Sequence, residues 1–84
     1  MNIATTDVEK VVRDYLTEVE KLPDTFDANL KLFAGGAGLD SLETAELSAI
    51  LEDHFETDPY SEGQTPETVG EILDFYRAQG AESS

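Results

Sequence analysis

At 84 residues the chain has room for one domain, and a chain of this size buries only about 60% of its unfolded surface, which leaves little for a deep catalytic cleft. Nineteen acidic residues against five basic ones give a formal charge of -14, a field that opposes nucleic acid and anionic membranes and favours basic partners. With no cysteine, disulfides, thiolate metal sites and a protein thiol nucleophile are excluded.

No apolar run approaches the roughly 18 residues of a membrane span, and Met1 to Ala4 lack the basic start and apolar centre of a secretory signal, so a cytoplasmic protein is expected. The cations are Lys10, Arg13, Lys21, Lys31 and Arg77. Between Lys31 and Arg77 only His54 can add positive charge, so the middle of the chain is almost purely negative.

Val8, Val11, Val12, Tyr15, Leu16, Val19 and Leu22 fall on one side of a helix at about 100° per residue, predicting an amphipathic helix over residues 6–22. Thr6 and Glu9 read as its capping box, and Pro23 marks its end. From 23 to 39 the periodicity disappears into a long loop with turn residues, where Leu30 and Phe33 are the expected anchors into the core. The run Ala34-Gly35-Gly36-Ala37-Gly38 invites comparison with a phosphate-cradling loop, but no strand precedes it and no Gly-Lys-Ser/Thr follows.

A second helix is predicted over residues 40–56, with Asp40 as N-cap, Glu43 three positions on and Ser41 in the first turn. Leu47, Ile50, Leu51 and Phe55 form its core stripe. The opposite side gathers Leu42, Ala45, Glu46, Ala49, Glu52 and Asp53, with Ser41 at the edge, and is left for a partner. His54 lies near the core side as an edge-packing or capping residue, with no second imidazole to make a metal site.

Residues 57–64 read as an irregular segment with room for at most one helical turn, anchored by Tyr60. Its acids lack the alternation and central glycine of a calcium loop. Thr65 and Pro66 predict the start of a last helix over residues 65–79, with Val69, Ile72, Leu73 and Tyr76 as its core stripe and Phe75 off the edge. Gly80 ends it, before a polar tail at 80–84. The expected fold is all-α, an antiparallel bundle of three main helices with a long first loop, which becomes a four-helix bundle if residues 57–64 close a short helix.

The run Gly38-Leu39-Asp40-Ser41-Leu42-Glu43-Thr44-Ala45-Glu46-Leu47, with Leu51-Glu52-Asp53, Phe55 and Thr68-Val69 further on, resembles the acyl carrier protein family over most of the chain from Thr6 to Tyr76. The resemblance implies that Ser41 carries 4'-phosphopantetheine through a phosphodiester, installed by a phosphopantetheinyl transferase that reads Asp40 and Leu42 beside it. Acyl or aminoacyl chains would then ride as thioesters on the cofactor's thiol, so a chain without cysteine fits. A phosphate at a helix N-terminus also meets free amides and the positive end of the dipole.

The same resemblance places Leu42, Ala45, Glu46, Ala49, Glu52 and Asp53 where loading, synthase and tailoring enzymes dock basic patches. Three departures point away from fatty-acid housekeeping and toward a free-standing carrier in a specialised biosynthetic pathway, expected as a monomer. They are the glycine-rich insertion between Leu30 and Asp40, the small Ala45 and Ala49, and Asp58-Pro59-Tyr60 in place of the usual isoleucine-containing turn. The competing expectation is an acidic helical interaction module without a prosthetic group, switched at Ser41 by phosphorylation. An enzyme in its own right is disfavoured: His54 stands nearly 20 Å along the same helix at about 1.5 Å per residue, too far to activate Ser41.

Overall fold

Apolar residues spaced three and four apart can leave water only by closing on one another, and three such stripes do so in a computed structural model that describes residues 4–79. Among the described residues the secondary structure is helical, with α1 over Thr5–Glu18, α2 over Ser41–Phe55 and α3 over Val69–Ala78. α1 packs against both α2 and α3. The core takes Val8, Val12, Tyr15 and Leu16 from α1, Leu47, Leu51 and Phe55 from α2, and Val69, Ile72, Leu73, Phe75 and Tyr76 from α3. Phe75, expected off the edge of its stripe, is buried and sets its ring edge-on to Tyr76 at 5.1 Å. None of these helices is long and apolar enough to cross a membrane.

α1 differs from its prediction at both ends. It starts at Thr5 with Ala4 as N-cap and no side-chain cap hydrogen bond, so the Thr6–Glu9 capping box does not form. Thr5 lies three residues before Val8 and is buried, and the extra residue of helix brings it onto the core face. At the other end the helix stops at Glu18, well before Pro23. Glu20 turns left-handed with φ 59°, its amide donates to Thr17 O, and the Lys21 amide donates to Leu16 O at 2.8 Å. This is a Schellman stop made without glycine. Leu22, assigned to the stripe by periodicity, consequently lies outside the helix and is exposed.

Residues 19–40 contain no helix and are tied down by backbone pairing with residues 67–70, at the start of α3. Leu32 N–H donates to Glu67 O at 2.8 Å, Val69 N–H to Leu30 O, and Gly70 N–H to Ala28 O, around a single bridge between Lys31 and Thr68. Leu32 and Leu39 are the buried anchors, whereas Leu30 and Phe33 are only half-buried. A side chain at Gly36 would place its Cβ 2.0 Å from the Lys31 carbonyl oxygen, so glycine is required where this loop folds back on itself. The same pairing delays α3. Residues 67 and 68 are held extended, so the helix starts at Val69, with Thr68 rather than Thr65 as N-cap and the Thr68 hydroxyl accepting from Glu71 N–H.

Residues 57–64 form turns and no helix, so the described residues hold three helices and not four. Their anchor is Asp58, which is fully buried with Pro59, while Tyr60 is half-buried. Asp58 Oδ1 accepts from the Ser48 hydroxyl at 2.7 Å and the Ser61 N–H at 3.0 Å, while Oδ2 has no partner. Tyr60 donates to Pro66 O, and its burial, with the negative Asp58 and Glu71 nearby, pushes its phenol up to about 12. Buried Tyr76 donates to Thr57 O at 2.6 Å.

Burial works against a charged Asp58, but the hydrogen bonds from Ser61 and Ser48 outweigh it, holding the carboxyl below its ordinary 3.8. A depressed folded-state value stabilises the fold at higher pH, and that stabilisation is lost as pH falls below 3.8 toward the folded value. Asp58→Asn should therefore be less stable than wild type at neutral pH and show a flatter acid limb in denaturant midpoints measured against pH. Leu32→Ala should cost about 2–5 kcal/mol, the range for a buried leucine truncated in a packed core, read from chemical denaturation.

Candidate functional site

The site lies where the loop enters α2. Gly38 takes φ 80°, a left-handed conformation that favours glycine, and sends Leu39 into the core. Asp40 is then extended and caps α2: its Oδ1 accepts from Glu43 N–H at 2.8 Å, and Glu43 Oε1 accepts from Asp40 N–H at 3.1 Å. The Thr44 hydroxyl donates to Asp40 O at 2.8 Å. Ser41 is thus the first residue of α2, and it and Leu42 are exposed, Leu42 by 69%. Among the described residues nothing accepts a hydrogen bond from the Ser41 or Leu42 amide, so both face outward at the positive end of the helix dipole.

Two residues from α1 and its cap brace this turn. Lys21 Nζ donates to Gly38 O at 2.9 Å and pairs with Glu43 Oε1. The Tyr15 hydroxyl lies 3.0 Å from Glu43 O and 2.8 Å from Glu46 Oε1, with one proton to offer between them. Burial, the bond to Glu46 and the negative fields of Glu46, Glu43 and Asp40 push the Tyr15 phenol far above its usual range, so it remains a donor at any physiological pH. Sequence reading missed both roles, taking Tyr15 for core and counting Lys21 only as one of the five cations. The available signal was scarcity, since five cations serve 19 acids.

Along α2, Ala45, Glu46, Ala49, Glu52 and Asp53 are exposed with Ser41 and Leu42, on the side away from buried Leu47, Leu51 and Phe55. Ala49, Glu52 and Asp53 line a shallow depression. Two of the three acids are oriented by neighbours: Glu46 accepts from Tyr15, and Glu52 accepts from the Ser61 hydroxyl at 3.2 Å. His54 is exposed, tilted against Phe55 at 5.9 Å between ring centres, and stands at the far end of α2 from Ser41. It borders a groove of about 550 Å³ between α1 and α2, whose apolar floor includes Val11, Ile50 and Phe55.

No protein-family model matches the chain, and no curated protein matches it. Local chemistry therefore carries the assignment of the site. Asp40→Ala removes one half of the reciprocal cap and should destabilise the protein by about 0.5–2 kcal/mol, as loss of an N-cap carboxylate does. Faster amide exchange at Glu43 should accompany the drop in thermal midpoint.

Proposed function

We propose that the protein is a free-standing carrier that holds biosynthetic acids as thioesters on a 4'-phosphopantetheine arm attached to Ser41. The observation that carries this reading is the Ser41 hydroxyl itself, exposed at the first position of a firmly capped helix and bordered by an acidic face that the core does not use. No base lies in hydrogen-bond reach of that hydroxyl among the described residues, which suits an acceptor whose activation comes from a separate transferase. The arm supplies a terminal thiol, the one chemical group that a chain without cysteine lacks.

The residues around Ser41 fit a phosphodiester. The unclaimed Ser41 and Leu42 amides and the helix dipole favour an anion there, an effect of about 0.3–1 kcal/mol at an exposed site. Lys21 pairs with Glu43 and so offsets one of the two carboxylate charges of the cap. In attachment, Ser41 Oγ bonds to the pantetheine-bearing phosphorus of coenzyme A and the phosphoanhydride breaks. The adenosine bisphosphate departs as leaving group, and the serine proton passes to a base on the transferase.

Leu42 and the Ala45–Ala49 surface then offer a shallow apolar contact, while Glu46, Glu52 and Asp53 meet basic patches on loading and tailoring enzymes. Small Ala45 and Ala49 and the glycine-rich approach to Asp40 favour partners other than those of fatty-acid synthesis, in a specialised pathway for acyl or aminoacyl cargo.

Incubation with coenzyme A and a broad-specificity phosphopantetheinyl transferase should add one phosphopantetheinyl mass to the wild type and none to Ser41→Ala. No addition to the wild type would sink the reading and favour an acidic interaction module. Because the docking charges are exposed, modification should slow several-fold as ionic strength rises from about 0.05 M to about 0.5 M.

A further inference from the structure

Three ion pairs join side chains among the described residues, and two of them are local. Lys10–Asp14 and Arg77–Asp74 lie within a single helix, on side chains 45–73% exposed. The third, Lys21–Glu43, links residues 22 apart, and its side chains are 30% and 17% exposed. Water screens this pair least, and it alone of the three joins two elements.

We propose that Lys21 is a positioning residue for the modification of Ser41, holding the turn from Gly38 to Glu43 in the form that the transferase reads. The proposal rests on the carrier reading above and adds to it a residue outside the motif around the serine.

The backbone of Lys21 is fixed before its side chain acts, because its amide closes the Schellman stop of α1 on Leu16 O. From that base the ammonium group donates to Gly38 O and pairs with Glu43, bracketing Leu39, Asp40, Ser41 and Leu42 between two points of attachment. One bracketed end is a left-handed glycine, a flexible position in the segment, and the other is the residue that closes the cap. Without the ammonium, the Gly38 carbonyl loses its donor. The Glu43 carboxylate then loses its only cation, and Tyr15 binds only the Glu43 backbone and Glu46. Leu39 still anchors the loop and α2 still packs, so the fold survives while the turn samples other conformations. When only a fraction of molecules presents the readable turn, apparent affinity falls by that fraction, whereas turnover from the bound state does not change.

Steady-state modification by the transferase, with the carrier as varied substrate, separates these quantities. Lys21→Met should raise KM for the carrier by about five- to tenfold with kcat within about twofold of wild type, and Lys21→Arg, which keeps a cation and several donors, should restore most of the loss. Glu43→Gln, which can still cap Asp40 but no longer pairs, should raise KM in the same direction. Amide exchange in the unmodified chain reads the turn directly: protection at the hydrogen-bonded amides of Leu39, Asp40 and Glu43 should drop in Lys21→Met, while protection in the α1 and α3 cores stays. A wild-type KM for Lys21→Met, or unchanged protection across the turn, overturns the proposal. If the wild type itself takes no phosphopantetheine, the carrier reading fails, and the exchange measurement still decides whether Lys21 holds the turn.

Discussion

The carboxylate of Glu43 accepts from the Asp40 amide on its own helix and pairs with Lys21 just past the end of α1, while the Glu43 carbonyl receives the Tyr15 hydroxyl. One residue therefore joins the stop of α1, the exit of the long loop and the start of α2. A carboxylate in the first turn of a helix is favoured by the dipole, and half-burial against an ammonium strengthens the attraction relative to an exposed pair. Ser41 is exposed while the peptide units on either side of it are held.

The loop before the site is held by the same economy of contacts. Leu32 and Leu39 are its buried side chains, and its backbone amides and carbonyls pair with residues 67–70 instead of with a sheet. Gly36 permits the close approach to Lys31 that this path requires, so the glycine-rich run has a structural cause apart from any ligand. The pairing acts in both directions, pinning the loop and keeping residues 67 and 68 out of α3. Asp58 does comparable work after α2, with a carboxylate that accepts from a helix hydroxyl and a turn amide in place of a fourth helix.

α2 divides its surface between two tasks. Leu47, Leu51 and Phe55 enter the core, and the opposite side keeps Leu42, Ala45 and Ala49 among acids. Tyr15 and Ser61 orient Glu46 and Glu52, so part of this charge is presented in a set geometry, with less side-chain entropy left to lose on any contact. The groove between α1 and α2 lies on another side of the helix and belongs to neither task.

Periodicity and capping chemistry alone determined that three amphipathic helices form, that Asp40 and Glu43 start the second with Ser41 in its first turn, and which face of that helix stays outside. These features depend on contacts within a turn or two, so neighbouring residues encode them. Tertiary structure decided what local signals could not. Leu22 continues the α1 stripe, yet a left-handed Glu20 stops the helix before it. Thr65-Pro66 has the chemistry of a helix start, yet pairing with Ala28, Leu30 and Leu32 delays α3 to Val69. Asp58 reads as a turn residue and is buried, because its partner Ser48 is ten positions away. The bond from Lys21 to the turn at Ser41 joins residues 17 and 22 apart. No pattern along the chain marks such a pair, since it exists only once α1 and α2 have packed.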